Sequence, residues 1–176
     1  MCIQMPCHNK ERPTTVAERC NRERRFSMQK ILFVCHGNIC RSTMAEFVMK
    51  ELVRRAGREA EFIIDSRACR TDAIGSDTHP GTKKILQENG IPFTPRAARQ
   101  IRREDYAQWD DIIAMDEENM RDLMRLSSGD PDGKIALLLS FAGEKREVAD
   151  PWYTGNFAAT YDDVLRGCAA LLQKRL

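Results

Sequence analysis

From Met28 onward, short apolar runs alternate with longer stretches in which apolar residues recur every three or four positions. Ile31-Leu32-Phe33-Val34-Cys35 is unbroken, the pattern of a strand buried on both faces. Ala45, Val48, Met49, Leu52, Val53 and Ala56 follow at helical spacing, and Gly57 ends that helix. Phe62-Ile63-Ile64 is a second strand. Thr78 to Asn89 reads as a second helix, with Thr78 as candidate cap and Gly90 just past its end. Ile112-Ile113-Ala114-Met115 is a third strand, Glu117 to Leu126 a third long helix, and Ile135 to Leu139 a fourth strand. A last helix lines up Phe157, Tyr161, Val164, Leu165, Cys168, Leu171 and Leu172 on one face. Strand and helix alternating four times predict an α/β fold of three layers, a parallel sheet covered by helices on both sides. Ligands in such folds sit beyond the carboxyl ends of the strands, so the loop after the first strand is the place to look.

Residues 1–27 break the pattern. They carry six Lys/Arg against three Asp/Glu, few large apolar residues and no period, so they are expected to be a basic, mobile extension outside the domain of residues 28–176. A basic interaction arm is one reading; an extension with no role in the fold, Met28 being a candidate start, is the favoured one. The whole chain is 42% hydrophobic and 31% charged, with a formal net charge of +2. That charge is too small to argue for nucleic acid or an anionic membrane as partner. No apolar run approaches the roughly 18 residues of a membrane span, and none suits a secretion signal, so a cytoplasmic protein is expected.

Seven cysteines, at 2, 7, 20, 35, 40, 69 and 168, form neither an even set nor a regular spacing, which excludes the framework of a small secreted domain. Structural zinc needs four ligands, usually as two close pairs; Cys35 and Cys40 make one pair and no second follows. The thiols are therefore read one at a time.

The segment Cys35-His36-Gly37-Asn38-Ile39-Cys40-Arg41-Ser42 runs from strand end to helix start. Gly37 and Asn38 are residue types that readily take positive φ, as a tightly wound loop requires. Amides of the loop and the positive end of the helix would converge on one point, an anion site. The same field favours the thiolate of Cys35, the nucleophilic form, over the alternative of a buried core thiol. Arg41 supplies a planar, permanently charged fork for phosphate oxygens. Ser42 is placed to donate to the sulfur, to cap the helix, or both. Far along the chain, Asp150 in Asp150-Pro151-Trp152-Tyr153 is either a plain turn aspartate before proline or a general acid, and the residues alone leave both open.

Val34-Cys-His-Gly-Asn-Ile-Cys-Arg-Ser42 followed by Met44-Ala45-Glu46 resembles the phosphate-binding loop of the low-molecular-weight protein-tyrosine phosphatases. The likeness continues through Asp65-Ser66, Ala98-Arg99-Gln100, Met115-Asp116 with Asn119, and Asp150-Pro151-Trp152-Tyr153. It implies a four-stranded parallel sheet, a cysteinyl-phosphate intermediate, and neither metal nor cofactor. It further implies Cys35, Arg41 and Asp150 as catalytic residues, and phosphate held by His36, Gly37, Asn38, Ile39, Cys40 and Ser42. The expected partner is a phosphotyrosine-containing protein or a small aryl phosphate, the chain itself being a monomer or weak dimer. In the family, a thiol at the Cys40 position can form a reversible disulfide with the nucleophile.

Trp152 and Tyr153 either wall the cleft or, for Trp152, pack in the core. Asp72 stands on the opposite wall where the family commonly has an aromatic, and Thr43 where it has proline, a change expected to matter little. Asp116 is read as a helix cap, His36 as a loop residue and His79 as a surface one. Three rivals remain. A thiol-dependent arsenate reductase needs relay cysteines, and none lies between Cys69 and Cys168. A phosphoarginine phosphatase typically has Thr at the Ile39 position. A non-catalytic phosphate-binding module would normally have lost Cys35, Arg41 or Asp150.

Overall fold

The computed structural model describes residues 28–176; the extension expected over residues 1–27 lies outside them. Four strands, β1 (Gln29–Cys35), β2 (Phe62–Ala68), β3 (Asp111–Ala114) and β4 (Ile135–Leu137), form one sheet in the order β2-β1-β3-β4. All pairings are parallel: Cys35 lies opposite Ala68, and Val34 opposite Ala114. β1 is therefore central, and strand order reverses beside it, which opens a crevice at its carboxyl end.

The apolar run of β1 is buried on both faces, as its sequence predicts. Ile31, Phe33 and Cys35 point into one core with α1 (Arg41–Arg55), α2 (Pro80–Glu88) and α6 (Phe157–Arg175), where they meet Met44, Val48, Leu86, Val164 and Leu171. Leu32 and Val34 point the other way, towards Tyr106 of α3 (Arg103–Gln108) and Leu123 of α4 (Glu117–Leu126). Each large side chain removed from water here stabilises the fold by about 1.5–3 kcal/mol. Among the described residues no helix is long and apolar enough to cross a membrane.

Three expectations are corrected, and one helix is added. β2 runs on through Asp65, Ser66 and Arg67, because an edge strand is held by its backbone ladder and buries alternate residues only. The second helix begins at Pro80, and His79, not Thr78, caps it by accepting from the Gly81 amide at 3.0 Å. β4 stops at Leu137, after which Leu138–Ala142 tighten into a 3-10 turn. α3 has no apolar period to announce it, since Tyr106 is its one buried residue.

The long α6 passes that turn at Gly167, where an added Cβ would lie 2.5 Å from Leu138 Cγ and 3.1 Å from its carbonyl oxygen. Leu138 is fully buried and cannot retreat. Alanine gains about 1 kcal/mol in helix propensity over glycine, but overpacking a filled core costs about 1–3 kcal/mol. Gly167→Ala is therefore expected to lower stability by up to about 2 kcal/mol, and a urea midpoint above wild type would contradict this contact.

Candidate active site

The loop from Cys35 to Arg41 leaves the centre of the sheet and enters α1, its outer side pinned by the fold. The amides of Cys69, Arg70 and His79 donate to the carbonyls of Cys35, His36 and Ile39 at 2.9, 2.9 and 2.8 Å. With carbonyls turned outward, the amides from His36 to Arg41 donate to no protein group among the described residues. That leaves unpaired N–H groups at the start of a helix, the kind of backbone that suits an anion.

Asn38 takes the left-handed conformation, φ 58°, that two residues were expected to share; Gly37 does not need it. Gly37 is instead where the loop nears the opposite wall, a Cβ there coming 3.4 Å from Ala73 Cβ. The Asn38 side chain turns inward, donating to Ser42 Oγ (3.0 Å) and Ser66 Oγ (2.8 Å) and accepting from Arg96 (2.9 Å). Arg96 also reaches Ser66 Oγ at 2.6 Å and pairs with Glu46. Cys35 Sγ lies 3.0 Å from Ser42 Oγ. The Ser42 hydroxyl, which also accepts from Asn38, is placed to donate to that sulfur when it is a thiolate, since a thiolate only accepts. Thr43 closes the helix entry by donating to the Cys40 carbonyl at 2.9 Å, so the missing proline leaves no gap.

Arg41 is 3% exposed and forms the hub of the site. One nitrogen, Nη1, donates to Asp116 Oδ2 at 2.5 Å, and Nη2 donates to Asp150 Oδ2 at 2.6 Å. Burial disfavours its charge, but the field of Cys35, Asp150 and Asp116 outweighs burial and holds its pKa above the ordinary arginine value. Asp150 Oδ1 meanwhile accepts from the Trp152 amide at 3.0 Å, capping the single-turn α5 (Pro151–Thr154). Asp116 does cap α4, accepting from the Asn119 amide at 2.7 Å, and it also anchors Arg41. The Cys40 thiol is pushed up to about 12, first by burial and then by Cys35 and Asp150. It stays protonated at neutral pH. Burial likewise pushes up the thiols of Cys69 and Cys168.

These groups open into a cleft of about 240 Å³. Its lining includes Cys35, His36, Gly37, Ile39, Cys40 and Arg41 from the loop, Asp72 and Ala73 on one side, and Asp150, Trp152 and Tyr153 on the other. Asn38 and Ser42 are behind this surface. Trp152 is 63% exposed, which removes the core-packing alternative. His79 is no bare surface residue: its ring stacks on Phe157 at 5.0 Å and meets Trp152 edge-on at 5.9 Å.

The model of the low molecular weight phosphotyrosine protein phosphatases matches residues 30–176, from the second residue of β1 through the end of α6. The chain belongs to this family. It is 39% identical over 147 residues to the low molecular weight protein-tyrosine-phosphatase YfkJ of Bacillus subtilis, covering 82% of this chain and 94% of that protein. The crystal structure of YfkJ superimposes with a TM-score of 0.81, covering 84% and 94% of the two chains. The low molecular weight phosphotyrosine protein phosphatase of Sus scrofa is 39% identical over 151 residues, 83% of this chain and 95% of that one. A solved Drosophila arginine phosphatase, DARP, is 31% identical with a TM-score of 0.77, covering 84% and 98%.

Two supports of the site are not legible in the sequence. Asp116 was legible as a cap but not as the second grip on Arg41. Arg96 gave no signal, standing 58 residues from Asn38 in a stretch without period.

Proposed function

We propose that this member of the phosphatase family hydrolyses phosphotyrosine in proteins, and small aryl phosphates, through a cysteinyl-phosphate intermediate. The observation that carries the reading is the Arg41 fork, which ties Asp150 into the same cleft whose floor is Cys35 Sγ. In this reading the phosphate dianion enters the ring of loop amides and takes over the Arg41 fork. Asp150 is thereby released to face the leaving oxygen as the general acid. Cys35 Sγ attacks phosphorus; the S–P bond forms as the P–O bond breaks, and the leaving oxygen takes the proton of Asp150. Water then attacks phosphorus, Asp150 recovers a proton from it, and the S–P bond breaks to release inorganic phosphate. The Ser42 hydroxyl stabilises the departing thiolate. Ile39, Trp152 and Tyr153 offer apolar faces to an aryl ring. A monomer or weak dimer in the cytoplasm completes the proposal; the free thiols of Cys35, Cys40, Cys69 and Cys168 agree with a reducing compartment.

The test is hydrolysis of p-nitrophenyl phosphate with chelator present, comparing wild type with Asp150→Asn. A lost general acid costs about a hundred- to ten-thousand-fold in kcat. Unchanged turnover would remove Asp150 from the mechanism. Faster release of phosphate from a phosphoarginine peptide than from a phosphotyrosine peptide would move the substrate reading to the arginine type.

A further inference from the structure

We propose that the mouth of the cleft selects substrates with a basic side chain next to the phosphorylated residue, and that Asp72 reads that charge; this rests on the phosphopeptide reading above. Asp72 Oδ2 lies 3.0 Å from His36 Nε2, so the carboxylate is held across the rim rather than waving in solvent. Its other oxygen has no protein partner among the described residues, and its side chain is 71% exposed. Because a carboxylate only accepts, the His36 ring N–H is the donor that fixes it.

The neighbouring charges are matched. Asp150 and Asp116 share Arg41, while Arg70, whose amide holds the His36 carbonyl, sends its guanidinium to Asp122 at 2.9 Å and Glu118 at 3.4 Å. Among the described residues Asp72 is thus the rim carboxylate without a permanent cation. The opposite rim carries Trp152 and Tyr153, 63% and 83% exposed, whose ring faces also attract cations. A lysine or arginine flanking the bound phosphotyrosine would meet a fixed carboxylate on one side and aromatic faces on the other. A flanking glutamate would be repelled by Asp72. The overall charge of +2 works in the opposite direction, favouring acidic peptides, so a preference for basic ones must be local.

The experiment measures kcat/KM on three phosphotyrosine peptides of otherwise fixed sequence, flanked on both sides by Lys, Ala or Glu. The readout is the Lys-to-Glu ratio within each enzyme, so any change in basal turnover cancels. Wild type is expected to favour Lys over Glu by about tenfold, each exposed charge contact contributing about threefold. Asp72→Asn should bring the ratio to about threefold or less, Asp72→Lys should reverse it, and 0.5 M salt should compress it in wild type. A wild-type ratio at or below one, or a ratio that Asp72→Lys leaves unchanged, overturns the proposal. Turnover of p-nitrophenyl phosphate without charge discrimination sinks this inference alone; no turnover at all sinks the phosphatase reading with it.

Discussion

Cys35→Ser is expected to lower aryl phosphate turnover by about ten-thousand-fold or more, the order seen when a covalent nucleophile is removed from an assembled site. Oxygen fits where sulfur was, and the contact to Ser42 Oγ at 3.0 Å survives as an ordinary hydrogen bond. What disappears is the sulfur, since thiols as a class are better nucleophiles than alcohols. The amides of the loop, Arg41 and Asp150 are untouched, so the variant should still bind inorganic phosphate. Steady-state assay together with phosphate-induced thermal stabilisation separates the two effects. Turnover above about one per cent of wild type would mean that another group attacks; Cys40, its thiol held up near 12, is poorly suited to do so.

Arg41→Ala should damage both catalysis and stability. It removes the proposed fork for phosphate oxygens, for which a loss of at least about a thousandfold in kcat/KM is expected by analogy with arginines that stabilise phosphoryl transfer. It also strands Asp116 and Asp150, two carboxylates that share one guanidinium. Stripping one partner from a buried ion pair costs about 3–5 kcal/mol. Here the acids keep 15% and 21% of their side-chain exposure, so about 1–3 kcal/mol is expected once solvent screening is allowed for. Arg41→Lys is the informative control. A point charge can stay near both acids and preserve much of the stability, yet it cannot offer two parallel N–H bonds, so activity should remain low. Full activity in the lysine variant would show that charge alone, without the fork, suffices.

Much of this arrangement is legible along the chain, for physical reasons that differ by element. β1 announces itself because burial on both faces demands an unbroken apolar run, and α4 because its period and the Asp116 cap agree. The loop after β1 is readable because one short segment contains the sulfur, the guanidinium and the tight turn. What stays hidden depends on partners far away in sequence. β2 carries on through polar residues because its neighbour holds it, and Arg96 is defined by Asn38, Ser66 and Glu46, from three other segments. Thr78 looked like the better cap by residue type, yet His79 takes the position because it precedes Pro80 and leans on Phe157.

The three outward carbonyls of the loop, fastened by Cys69, Arg70 and His79, have a thermodynamic corollary. The proposed anion receptor is held by the fold itself, so its ordering entropy is spent before any ligand arrives. Catalytic competence and the sheet should consequently melt as one cooperative event, with urea curves for activity and for secondary structure superimposing.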